Sequence, residues 1–147
     1  MTLYLDTSSL FKLYVEESGS DEVRQELAEA ETVVTSAISY AEARAAFARV
    51  RRAGQLTPTS FSAVKRDFDS DWSRFAIVEP TVELCRAAGE LAERYGLRGC
   101  DSIQLATFLD VAREGGESEA RFSSFDRNLN HAATFALRTL YQRSPRS

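Results

Sequence analysis

Four carboxylates stand out by position, two directly after predicted strands and two where a helix stripe predicts a core. Asp6 ends the apolar run Leu3-Tyr4-Leu5 and leads into the hydroxyl residues Thr7-Ser8-Ser9. Asp126 comes two residues after Ser124, just beyond a second short run, Arg121-Phe122-Ser123-Ser124. Glu42 lies four residues after Ile38 and just ahead of Ala45 and Ala46, while Asp101 lies four residues before Leu105 and seven before Phe108. Those spacings put Glu42 and Asp101 on or beside apolar helix stripes, and Asp and Glu are almost never fully buried unless paired. Taken singly, each acid has a structural explanation: Ser39-x-x-Glu42 fits a capping box, and Asp101 fits an N-cap. Taken together, two follow strands and two open helices, and in a parallel sheet those points share one edge. Four anions in one pocket raise one another's pKa unless something compensates them. A hard divalent cation does so, and an all-oxygen donor set suits Mg²⁺ or Mn²⁺ rather than Zn²⁺. Such ions serve phosphoryl chemistry, by polarising a phosphate and activating water.

The elements that must position these acids alternate between strand and helix. Leu3–Leu5 reads as a buried strand, followed by a short helix capped by Ser8 and running through Tyr14. Asp21–Ala30 is a helix with acids in its first turn, where the helix dipole favours them. The β-branched run Thr32–Ser36 is a strand, and a long helix follows from Ile38 to Ala53, stopped by Gly54. Thr57-Pro58 reads as an N-cap with proline at the first helical position, opening a helix whose face is Phe61, Val64, Phe68 and Trp72. Phe75–Val78 is a third strand. Val82–Tyr95 is a helix ended by Gly96, and Asp101–Glu114 a further one ended by Gly115-Gly116. Glu117–Glu119 reads as loop, Arg121–Ser124 as a fourth strand, Asp126–Ala133 as a short helix and Phe135–Leu140 as a last strand. Strands separated by helices predict a three-layer α/β/α domain with a mainly parallel sheet of four to five strands. Residues 1–141 form one domain on this reading, with 142–147 as a flexible tail.

Bulk composition narrows the setting. The 147 residues carry a net charge of −4, which argues against gripping nucleic acid by overall basicity but leaves room for a metal-bearing site. Only Lys12 and Lys65 break an otherwise all-Arg set of 18 basic residues. Arg suits bidentate phosphate contact, although a base-composition bias gives the same excess. No run approaches the ~18–20 apolar residues of a membrane span. No basic segment leads into a long apolar core, so a cytoplasmic location is expected. Cys85 and Cys100 have neither metal-ligand nor disulfide spacing and are expected to be small core residues. His131, the only histidine, is expected at the surface.

At the four acids the sequence resembles the PIN domain, and within it the VapC-like ribonuclease toxins. The resemblance rests on Leu5-Asp6-Thr7-Ser8-Ser9-Leu10, on Thr35 to Glu42 with its Ala/Arg helix, on Leu97 to Thr107, and on Phe122 to Leu129. It implies a Mg²⁺- or Mn²⁺-dependent endonuclease that hydrolyses RNA phosphodiester bonds and leaves 5′-phosphate ends. Asp6, Glu42, Asp101 and Asp126 take the catalytic and metal-site acids. Ser124 takes a hydroxyl position where relatives often carry Thr, and Gln104 stands where many have His. The resemblance also implies a homodimer and neutralisation by a cognate VapB-like antitoxin, and with no apolar run long enough to span a membrane, no membrane association is expected.

Substrate phosphates need positive partners. Arg98 and Arg127 flank the third and fourth acids, and Arg49 lies on nearly the same stripe as Glu42, roughly 10 Å further along the helix. Ser8 is a further accessory candidate. A haloacid-dehalogenase-like phosphatase needs a second Asp two residues after the first, and that position is Ser8. A phosphoacceptor receiver domain needs a paired acid before the end of the first strand, and this chain has none there. The non-enzymatic alternative is a PIN-like protein-interaction module that has lost activity.

Overall fold

The computed structural model describes residues 1–116 and 119–143. Four parallel strands, β1 (Thr2–Leu5), β2 (Thr32–Ser36), β3 (Ala76–Val78) and β4 (Ala120–Ser123), form one sheet in the order β3-β2-β1-β4. Among the described residues seven helices accompany them: α1 (Thr7–Lys12), α2 (Ser20–Glu29), α3 (Ile38–Arg52), α4 (Pro58–Trp72), α5 (Val82–Tyr95), α6 (Gly99–Gly115) and α7 (Arg127–Gln142). The chain steps outward from β1 to β2 to β3, then returns to set β4 on the other side of β1. The strand order therefore reverses beside β1, and such switch points open a crevice at the strands' carboxyl ends.

Alternation along β1 explains the two layers of core. Leu3 and Leu5 point to one face and Tyr4 to the other, as a period of two requires. Leu3 and Leu5 pack with Leu10, Val23, Phe47 and Phe68 under α1 to α4. Tyr4 packs with Val34, Leu105, Phe108 and Leu129 under α6 and α7. All three β1 side chains are fully buried. Register is in phase along β1, with Tyr4 opposite both Val34 and Phe122. Trp72 is partly buried and packs against the core under α1 to α4 from the α4 stripe, with its ring against Tyr40, Phe68 and Phe75.

Several sequence expectations need correction. Phe135–Leu140 is not a strand: α7 runs unbroken through it, so the sheet has four strands. Leu129, Ala132, Ala133 and Ala136 are the buried positions of α7, spaced for a helix, while Phe135 is exposed. The first helix is capped by Asp6 rather than Ser8, and ends at Lys12. Cys85 and Cys100 are exposed, not core; Cys85 lies one step round α5 from the buried pair Leu84 and Ala88. His131 is exposed, as expected. The expected loop at Glu117 and Ser118, and the tail from 144 onward, lie outside the described residues. Gln142, assigned to that tail, closes α7.

Candidate active site at the carboxyl edge of the sheet

Asp6 is fixed from three sides. It is 4% exposed, and its Oδ1 accepts from the Ser9 amide at 3.1 Å and the Ser8 hydroxyl at 2.6 Å. The Ser124 hydroxyl donates to Oδ2 at 2.7 Å. Burial pushes the Asp6 pKa up, and the bonds from Ser8, Ser124 and Ser9 oppose that rise. Ser8 and Ser124, both singled out from sequence, thus act directly on Asp6.

Asp126 repeats the arrangement. It caps α7 by accepting from the Leu129 amide at 2.9 Å, while its own amide donates to Ser124 Oγ at 3.1 Å. Ser124 therefore links the two strand-end acids.

Glu42 and Asp101 are not caps. Ala37 is the N-cap of α3 and Arg98 that of α6, so neither the capping box nor the Asp101 cap forms. Glu42 Oε1 instead accepts from Thr7 Oγ1 at 2.9 Å and from Gln104 Nε2 at 3.1 Å. Gln104, itself 2% exposed, accepts from the buried Tyr4 hydroxyl at 2.6 Å and donates to Ser39 Oγ at 2.9 Å. Ser39 Oγ in turn lies 2.8 Å from Thr35 Oγ1, which donates to the Leu5 carbonyl at 2.7 Å. Asp101 pairs with Arg98, Nε to Oδ2, at 3.0 Å. That bond and the field of Asp101, with smaller contributions from Asp126 and Glu42, hold the Arg98 pKa above its usual value.

All four acids line one cleft of about 640 Å³, together with Arg49 and Arg98. Arg127 is exposed and does not line it. Another concavity of about 330 Å³ lies between α5, α6 and α7 and contains none of the four. Among the described residues, no three Asp, Glu, His or Cys side chains stand close enough to hold an ion between them as they are. Their oxygens are engaged by serine hydroxyls, backbone amides, Gln104 and Arg98. The donor set is nonetheless hard, anionic and all oxygen, which fits Mg²⁺ or Mn²⁺. Releasing Asp101 requires only that the 83%-exposed Arg98 side chain turn away.

Sequence reasoning missed Tyr4, Thr7, Ser39 and Thr35, the polar residues beneath Glu42. Tyr4 carried a signal, since a lone hydroxyl in an otherwise aliphatic buried strand needs a partner.

The fold and this cleft define a parallel α/β domain with an acidic site at its topological switch point. The chain belongs to the PIN-domain family, whose sequence pattern matches residues 3–134. It is 33% identical to ribonucleases VapC45 and VapC49 of Mycobacterium tuberculosis, over 77% of this chain and 78% of theirs. The fold matches that of M. tuberculosis VapC20, described as a sarcin-ricin loop cleaving toxin, with a TM-score of 0.63 and 18% identity over 88% of this chain and 94% of that one. PAE2754 from Pyrobaculum aerophilum matches with a TM-score of 0.61 and 19% identity, over 97% of this chain and 91% of that one.

Proposed function

We propose that this chain is a VapC-type toxin: an endoribonuclease that hydrolyses RNA phosphodiester bonds with Mg²⁺ or Mn²⁺ held by Asp6, Glu42, Asp101 and Asp126. The observation that carries this reading is the meeting of four acids, drawn from four separate chain segments, in one cleft. The kinship with the VapC ribonucleases supports the reaction type.

A bound divalent cation supplies positive charge for the scissile phosphate and lowers the pKa of water. Asp6, Asp101 and Asp126 are its principal holders. Ser8, Ser124 and the Ser9 amide keep Asp6 in one rotamer for that task. Glu42 is held on its inner side by Thr7 and Gln104, completes the donor set, and orients the attacking water. Arg98 exchanges Asp101 for a substrate phosphate, with Arg49 offering a second contact along the cleft. The new P–O bond forms in line as the bond to the leaving oxygen breaks.

The partners that accompany this reading are an RNA substrate, a second copy of the chain, and a cognate VapB-like antitoxin. The setting is the cytoplasm; among the described residues no helix is long and apolar enough to cross a membrane. The test is cleavage of RNA with Mg²⁺ and with excess EDTA, alongside Asp6→Asn and Asp101→Asn. Cleavage lost in EDTA and in both variants supports the reading. Undiminished cutting in chelator refutes the metal site. Calorimetry showing no Mg²⁺ binding, together with no cleavage, favours the interaction-module alternative.

A further inference from the structure

Among the described residues three large apolar side chains are markedly exposed: Val82, Phe125 and Phe135. Only Phe125 lines the acidic cleft. It is 41% exposed and precedes Asp126 directly.

The backbone around this ring is tied to the acids. The Phe125 amide donates to Ser8 Oγ at 2.9 Å, and Ser8 donates onward to Asp6. On either side, Ser124 holds Asp6 and Asp126 caps α7. Asn130 Nδ2 also donates to the Ser124 carbonyl at 2.8 Å. The backbone that carries the ring is therefore fixed relative to Asp6 and Asp126.

Its surroundings are shaped to receive it. Gly19 has φ of 93°, and a Cβ there would lie 2.5 Å from Phe125 Cε1 and 2.8 Å from Cζ. Only glycine lets the ring edge lie against that turn. Lys12 Nζ sits 4.5 Å from the ring centroid. The ammonium is itself anchored by Glu17 at 2.6 Å and by the Ser18 carbonyl at 2.7 Å. A ring with a cation over it and polar neighbours (Ser8, Glu17, Asp126) is not part of a broad apolar patch of the kind that marks a protein interface. An exposed ring beside a cleft that takes phosphate is instead the kind of platform on which single-stranded nucleic acid stacks a base.

We propose that Phe125 is a stacking platform for one unpaired base of single-stranded RNA, next to the nucleotide whose phosphate enters the acidic cleft, with Lys12 polarising the ring. This rests on the nuclease reading for the position of that phosphate. Phe125 thereby selects an unstacked, single-stranded segment over a duplex, since a paired base is not free to reach the ring.

The test is equilibrium binding, by fluorescence anisotropy, of fluorescein-labelled 12-nucleotide single-stranded RNAs in Ca²⁺, with Mg²⁺-supported cleavage followed in parallel. Phe125→Ala is expected to weaken binding about tenfold, and Phe125→Leu to lie between it and the native chain. A 12-mer of sugar and phosphate without bases is expected to bind the native chain and Phe125→Ala alike. The side chain is exposed, and unchanged thermal melting of each variant confirms the fold. Equal binding of base-bearing RNA by Phe125→Ala and the native chain overturns the proposal. So does an equal loss on the base-free strand. Unchanged RNA binding with weakened self-association of Phe125→Ala in sedimentation also overturns it, and assigns the ring to a protein contact. Base-dependent binding through Phe125 without any cleavage fails the nuclease reading while leaving the platform standing.

Discussion

Removing one hydroxyl, Tyr4→Phe, should expose how the floor of the acidic cleft is built. The Tyr4 hydroxyl is buried and donates to Gln104 Oε1 at 2.6 Å, and Gln104 is itself 2% exposed. Burial pushes the Tyr4 pKa far above its ordinary value, so the phenol remains a neutral donor throughout the accessible range. Phenylalanine keeps the ring contacts with Phe108 and Phe122 but leaves Oε1, on a side chain only 2% exposed, without its donor. An orphaned buried acceptor costs about 1–3 kcal/mol. For a chain of this size each kcal/mol moves the melting point by roughly 2–4 °C, so a loss of about 2 kcal/mol lowers it by roughly 4–8 °C. Gln104→Leu should cost at least as much, because it takes the acceptor from the Tyr4 hydroxyl and strips a donor from Ser39 and Glu42. The double variant removes both ends of the Tyr4–Gln104 bond, so its cost should fall short of the sum of the singles by about 1 kcal/mol or more. Urea titration with an unchanged m value measures all three. RNA cleavage should separate the singles, because Tyr4→Phe leaves the Gln104–Glu42 bond in place and Gln104→Leu does not. A Tyr4→Phe shift of less than about 0.5 kcal/mol, or single costs that simply add, would refute a Tyr4–Gln104 bond that supports the cleft floor.

Three further outcomes follow from the site. The Asp6 pKa is raised by burial, so folding takes up protons and the charged form lowers stability once pH is above that raised value. Metal-free Asp6→Asn should therefore melt higher than the native chain near neutral pH, with the gap closing as pH falls below the unfolded carboxylate range. Added Mg²⁺ should stabilise the native chain and not the variant, and a lower melting point for metal-free Asp6→Asn at pH 7 would sink this account. Gly19→Ala should destabilise by roughly 1–3 kcal/mol and displace Phe125, read as a changed melting curve and faster limited proteolysis near residue 19. Cys100 is exposed, but partial desolvation, with Glu42 and Asp101 adding to it, raises its thiol pKa. Its alkylation at pH 8 should be slowed by that shift, and Mg²⁺ should speed it by offsetting the two acids. A Cys100 rate indifferent to Mg²⁺ would count against a cation bound beside it.

The parts of the molecule that were readable from sequence are those set by local signals. Thr57 caps α4 with Pro58 at its first position, and Gly96 closes α5 in the left-handed region, as their types require. The strand ends were readable because an apolar run stopping at an acid leaves little choice of boundary. The end of the chain was misread because the inner stripe of α7 is largely alanine, too small to mark a period against the strand-like Phe135 to Leu140. The polar floor was unreadable for another reason. Tyr4 and Gln104 are 100 residues apart, and their meeting depends on how α6 seats on β1, which no local pattern encodes. The same holds for Phe125 and Gly19, whose contact joins two turns through tertiary packing alone.

The strand-end acids also dissolve the choice between cap and functional residue. Asp6 accepts from the Ser9 amide at the start of α1, and Asp126 from the Leu129 amide at the start of α7. A helix N-terminus offers unsatisfied N–H donors and a favourable dipole, and so provides part of the compensation a buried carboxylate needs when no cation is present. It also fixes the side chain in one rotamer. Because β1 and β4 are adjacent and parallel, the helices that follow them begin on the same edge, and their caps face one cleft. Capping is thus the means by which a parallel sheet sets two acids side by side. Glu42 and Asp101, which lack that support, are held by Thr7 and Gln104 and by Arg98. Of these holders Arg98 alone is charged and mostly exposed, which makes Asp101 the acid most readily freed. Arg98→Ala should then tighten Mg²⁺ binding in calorimetry while weakening RNA binding, and a variant that loosened both would show that Arg98 serves to build the site rather than to guard it.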